Sequence, residues 1–177
     1  KDISLKSYTD TVCKILDAQP EPVILVGHSL GGVTITQTAE YKPDKVRVLV
    51  YLSALLLQSG QTAPQALEGD TESLFAENRV MAEDGSSFTA REEAVRDIFY
   101  GECSDEDVKR AKTLLRPQAA APGMTAVNTT AENFGRVPRV YIQCLRDKAL
   151  SPSRQKRMYT ALPCSRVLTM DTDHSPF

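Results

Sequence analysis

Residues 23–33 read VILVGHSLGGV, a serine set between glycines directly after a run of branched apolar residues. Gly27-His28-Ser29-Leu30-Gly31 has the form G-x-S-x-G, whose chemistry is attack of a serine hydroxyl on a carbonyl carbon. The form carries that meaning only where a strand precedes it and a helix follows. A sharp strand-to-helix turn strains the serine backbone and lifts its hydroxyl clear of the sheet, and glycine neighbours leave the room this needs. The amide of Leu30 then falls at the helix N-terminus, where a backbone N–H can stabilise a developing oxyanion. The competing reading is a tight glycine turn whose serine only caps the helix.

A serine hydroxyl is a weak nucleophile and needs a base. The chain has two histidines, His28 and His174. His28 adjoins Ser29 in a tight turn, where consecutive side chains diverge, so His174 is the candidate base by elimination. A carboxylate must orient that imidazole and stabilise its charged form. Asp171 and Asp173 lie so close in sequence to His174 that their geometry is awkward. Asp147 closes the strand-like run VPRVYIQCLRD, on the edge where Ser29 and His174 also emerge. It is the favoured acid, against a plain turn or helix-capping role. The candidate set is Ser29, Asp147 and His174, with the Leu30 backbone amide as oxyanion donor.

These residues require particular elements around them. Leu5, Tyr8, Val12, Ile15 and Leu16 recur at helical spacing, with Ser4 placed to cap and Pro20 to stop. Val23–Val26 reads as a strand, 30–40 as a helix, and 45–52 (KVRVLVYL) as a second strand. Strand, helix and strand with short links form a βαβ unit, hence an α/β chain with a parallel sheet. From about 58 to 136 the apolar runs shorten, with an Asp84-Gly85 hairpin signal and a capped helix beginning at Ser104. The α/β alternation returns at Val137, with a helix from Ser151-Pro152 to about Leu162 and a last strand leading to His174. The organisation is therefore core over 1–57, an inserted subdomain over 58–136, and core over 137–177.

Composition narrows the function classes. A length of 177 residues suits one domain with a sizeable core. The net charge of −2 comes from interspersed acids and bases, without the basic stripe that a nucleic-acid partner requires. No apolar run is long enough to span a bilayer, so no membrane role is expected. Cys13, Cys103, Cys144 and Cys164 show no CxxC and no metal-ligand spacing. They read as structural thiols in a reducing compartment, which places the protein in the cytoplasm with no metal.

VILVGHSLGG, RVPRVYIQCLRDKALSP and TDHSPF, in that order and spacing, resemble the plant-type esterase and hydroxynitrile-lyase group of the α/β-hydrolases, with its bacterial esterase relatives. The resemblance covers nearly the whole chain. It implies a mostly parallel sheet flanked by helices, with 58–136 as a cap over the pocket. It also implies Ser29 as nucleophile, Asp147 as acid and His174 as base. The expected activity is hydrolysis of a small to medium carboxylic ester through an acyl-enzyme, with no cofactor, and a homodimer is compatible with it. A lyase of the group typically has lysine directly after the histidine and Glu-Ser-Cys at the elbow; here stand Ser175 and His28-Ser29-Leu30, which favour the ester. A non-catalytic receptor on the same fold is the third reading, and it has no need of a complete Ser/Asp/His set. Phe75, Phe88, Phe99, Tyr100, Met124 and Phe134 are read either as pocket lining or as the cap's own core.

The group also has strands before the position of residue 1, one followed by a loop that gives a second oxyanion donor, and a helix after the histidine. The chain accordingly resembles the C-terminal part of a family member without its last helix. It is expected to be a fragment of a longer protein, whose elbow strand would expose an apolar edge.

Overall fold

The structure is a computed structural model and describes residues 3–176. Phe177, the last residue of the TDHSPF segment, lies outside the described residues, as do Lys1 and Asp2. Helix α1 (Leu5–Asp17) starts from a reciprocal cap: Ser4 Oγ accepts the Ser7 amide and Ser7 Oγ accepts the Ser4 amide. Its buried stripe is Leu5, Thr9, Cys13 and Leu16, so Ile15, read from spacing as part of the apolar face, is exposed instead. Strand β1 (Val23–His28), helix α2 (Gly31–Tyr41) and strand β2 (Val46–Leu52) complete the first βαβ unit.

Residues between the two core segments form α3 (Ala63–Leu67), α4 (Phe75–Asn78), β3 (Arg79–Met81), β4 (Ser87–Ala90), α5 (Val95–Phe99), α6 (Asp105–Leu114), β5 (Gln118–Ala119) and α7 (Ala121–Met124). The strands β3, β4 and β5 make a small antiparallel sheet with β4 in the middle, and Gly85 takes a φ of +68° in the β3–β4 turn. The chain then returns through β6 (Arg139–Cys144), α8 (Pro152–Ala161) and β7 (Arg166–Met170).

The main sheet is wholly parallel, in the order β1-β2-β6-β7. Its two faces differ. Tyr51 and Tyr141 are register partners on one face, fully buried and stacked with ring centroids 6.3 Å apart. The Tyr51 hydroxyl meets Thr36 of α2 at 2.7 Å, and the Tyr141 ring meets Tyr159 of α8 at 5.2 Å. Both helices therefore pack on this face, together with Leu49 and Val33, and each buried side chain there contributes about 1.5–3 kcal/mol. On the other face Ile24 and Val26 of the edge strand β1 are 62% and 56% exposed, beside half-buried Val48, Val50 and Ile142. Phe134 belongs to the main core, against the Arg139 guanidinium at 4.7 Å, so neither the pocket nor the cap-core reading applies to it.

Candidate active site

Ser29 follows the last residue of β1 and has a φ of +53°, a left-handed conformation that non-glycine residues rarely adopt. Its backbone is held by the end of β2, the loop that follows it and the first turn of α2. The Ser29 amide donates to the Leu52 carbonyl at 3.3 Å, and the Ser29 carbonyl accepts from Leu55 at 3.0 Å and Gly32 at 3.1 Å. The Leu30 amide donates to no group among the described residues, at the N-terminal end of α2. Such a donor is available to a developing oxyanion.

The glycines divide differently from the reading of the motif. A methyl group on Gly27 would meet the Ile35 side chain at 2.8 Å and the Gly31 carbonyl at 2.9 Å. On Gly31 it would meet nothing within 4 Å among the described residues. The second obligatory glycine is Gly32, whose added carbon would run into the Leu55 carbonyl. The tight side of the elbow is thus set by the loop after β2.

Asp147 lies three residues beyond the end of β6, in the turn before α8, with its carboxylate fully buried. One oxygen accepts the amides of Ala149 at 2.8 Å and Leu150 at 2.9 Å. The other accepts Gln155 Nε2 at 2.9 Å and meets His174 Nδ1 at 2.8 Å. An acceptor-only carboxylate places the proton on Nδ1 and leaves Nε2 of His174 as the free base. The structure therefore brings Asp147 and His174 together, while neither Asp171 nor Asp173 bonds to the imidazole. Asp171 pairs with Arg146 at 3.2 Å, and Asp173 accepts backbone amides.

Two further positions support this pair: Gln155, which the sequence reading did not single out, and His28, which it set aside as the base. Gln155, wholly buried one turn into α8, donates to Asp147 and to the Leu150 carbonyl at 2.7 Å, and accepts the Cys144 amide at 3.3 Å. The signal was a polar residue on the inward stripe of α8, with Arg154 and Met158. His28 approaches the His174 carbonyl oxygen through Nε2 at 2.7 Å, with ring centroids 4.6 Å apart. Burial, reinforced by the neighbouring His174, pushes the His28 imidazole down to about 4. Neutral His28 thus serves as the donor to that carbonyl.

Phe99, at the end of α5, places its ring 5.7 Å from that of His174 and continues into Phe75 at 5.8 Å, which meets Phe88 at 5.8 Å. Tyr100 flanks Phe99 at 6.0 Å, and Met124 is exposed. A groove of about 480 Å³ on α5 and α6, lined by Arg96, Asp105, Lys109 and Lys112, contains none of the candidate triad. Among the described residues no group of His, Cys, Asp and Glu could hold a metal ion, and no helix is long and apolar enough to cross a membrane.

The chain as a whole is similar to known proteins. Pyrethroid hydrolase of Sphingobium wenxiniae is 30% identical over 99% of this chain and 65% of its own length. Methylesterase 18 of Arabidopsis thaliana is 31% identical over 98% of this chain and 73% of its own. Putative methylesterase 14, chloroplastic, from the same plant is 28% identical, and the chain spans only about half (53%) of it. The crystal structure of a pyrethroid hydrolase from Sphingobium faniae superposes with a TM-score of 0.88 at 28% identity, over 99% of this chain and 72% of that one. The model of the alpha/beta hydrolase family matches residues 2–177, and the chain belongs to that family.

Proposed function

We propose that the protein is a serine hydrolase that cleaves carboxylic esters through an acyl-enzyme. The observation that carries this reading is the left-handed Ser29 at a strand-to-helix turn, in one chain with a buried Asp147–His174 pair 2.8 Å apart. Ser29 Oγ attacks the ester carbonyl while its proton passes to His174 Nε2. The oxyanion meets the Leu30 amide, the C–O bond to the alcohol breaks, and His174 returns the proton to the departing alkoxide. Water then attacks the acyl-enzyme by the same route in reverse order, releasing the acid and restoring Ser29. Asp147 holds the imidazole in the tautomer this needs and stabilises its charged form.

The names of the relatives, methylesterases and a pyrethroid hydrolase, support ester cleavage. The aromatic run from Phe99 to Phe88 suits an apolar or aromatic ester. The test is fluorophosphonate labelling of the full-length protein with peptide mapping, alongside turnover of p-nitrophenyl acetate. Label on Ser29 with turnover supports the reading. A folded protein that neither labels nor turns over points to the receptor alternative, and cyanide release from a cyanohydrin points to the lyase.

A further inference from the structure

Asp173 directly precedes His174, is 4% exposed, and yet does not touch the imidazole. A buried carboxylate accepts hydrogen bonds or is costly to bury, so the partners of its two oxygens define its role. One oxygen accepts the Ser175 amide at 3.0 Å, closing a turn around the backbone of His174 itself. The other accepts the Glu102 amide at 2.6 Å, from the turn that follows α5. That turn is the one whose preceding residues, Phe99 and Tyr100, bring the aromatic run to the histidine.

Glu102 also reaches the acid side of the site. Its carboxylate meets Arg146 Nη1 at 3.0 Å, and Arg146 is the residue before Asp147. Arg146 further donates from Nη2 to the Asp171 carbonyl at 2.5 Å, and its amide donates to the Thr172 carbonyl at 2.9 Å. One residue of the intervening segment is thereby tied to the neighbours of both Asp147 and His174. The Arg146–Glu102 pair is about half exposed on each side, and such a pair contributes little alone. The short, partly buried, charge-assisted bond from the Glu102 amide to Asp173 is the strong link.

We propose that Asp173 is a positioning residue that couples the seating of the 100–103 turn to the orientation of His174. This rests on the hydrolase reading above. When the turn is seated, the carboxylate serves both amides and the backbone of His174 is fixed from outside its own loop. Asparagine at 173 keeps one acceptor oxygen and turns an NH₂ toward one of the two amides, so only one of them is served. The imidazole then loses its fixed orientation while Asp147 remains intact. A small misplacement of a catalytic group costs turnover rather than substrate affinity.

The experiment compares wild type, Asp173→Asn and Arg146→Gln in the full-length protein. Turnover is expressed per serine titrated by fluorophosphonate, so that unfolded molecules do not count. Asp173→Asn is expected to lower kcat about 10- to 100-fold with KM within about threefold, and Arg146→Gln to stay within about threefold of wild type. Two readouts are independent of turnover: hydrogen exchange at the Glu102 amide, and the downfield proton resonance of His174 Nδ1. Both should change in Asp173→Asn, with faster exchange and a shifted or broadened resonance. A purely structural role would lower the melting temperature and leave kcat per titrated serine and the resonance as in wild type, and that result overturns the proposal. If the wild type itself shows no turnover, the hydrolase reading fails, and an unchanged resonance in Asp173→Asn then also sinks the coupling.

Discussion

Asp147 and His174 are fixed by a dense set of side-chain bonds, from Gln155, His28 and the turn after β6, whereas Ser29 is held through its backbone by the end of β2, the loop after it and the first turn of α2. The acid–base side brings four donors to one buried carboxylate. The Ser29 side brings one residue in a left-handed conformation, two glycines with no room for a side chain, and the Leu30 amide, which donates to no group among the described residues. The contrast teaches that, in the proposed mechanism, proton transfer depends on side chains that substitution can remove one at a time. Nucleophile placement depends on backbone shape, which glycine substitutions disturb.

The largest effect should come from the proposed nucleophile. Ser29→Ala in the full-length protein is expected to lower kcat/KM by about 10³ or more, with the fold retained. Activity within tenfold of wild type, with unchanged circular dichroism, would remove Ser29 from the mechanism. Next, Asp147→Asn should cost about 10²- to 10⁴-fold, because an amide in that position favours the wrong tautomer of His174. This exceeds the loss expected for Asp173→Asn, and steady-state rates at neutral pH for both variants rank them. The reverse ranking would transfer the role of acid to Asp173.

The elbow was legible in the sequence because everything that defines it is local: an apolar strand, a small turn and a helix within about a dozen residues. His174 followed from scarcity of histidine and Asp147 from its place at a strand end. What stayed hidden was contact between distant positions. Gln155 is eight residues from Asp147 and Asp173 is 71 from Glu102, and periodicity encodes which face is buried but not what a polar atom on that face bonds. The same limit explains the glycines, since the group that crowds Gly32 is the Leu55 carbonyl across the next loop. Phe134 reads equally well as pocket or cap from its neighbours in sequence, and its place in the main core, against Arg139, decides otherwise.

The backbone half of the contrast sharpens with a pair of substitutions. Gly32→Ala should destabilise the protein by about 1–3 kcal/mol, because the new methyl group meets immovable backbone. Gly31→Ala, in open space and without a positive φ, should be neutral or stabilise by up to about 1 kcal/mol. Urea denaturation of both variants separates them. Equal costs would mean that the elbow tolerates no side chain at either position, and that the loop after β2 is not what crowds it.

The smallest effect concerns His28, which belongs to both halves: it adjoins Ser29 and donates to the carbonyl of His174. Burial first, and then the neighbouring His174, lower its value in the folded protein to about 4 from the ordinary 6.5. Because the folded value is depressed, the unfolded chain binds the proton more readily as pH falls through this interval. Stability is therefore unaffected by this group above about pH 6.5, declines between about 6.5 and 4, and levels off below. The imidazole is not fully enclosed, so the loss by pH 5 is on the order of 1 kcal/mol. Replacing it by glutamine, which can present an amide donor near the place of Nε2 but does not titrate, should remove that part of the acid sensitivity. Denaturation midpoints for wild type and His28→Gln at pH 7.5 and pH 5 measure the difference. The variant should lose less stability than wild type between the two values. An identical pH dependence in both would show that His28 is not the group whose burial opposes protonation.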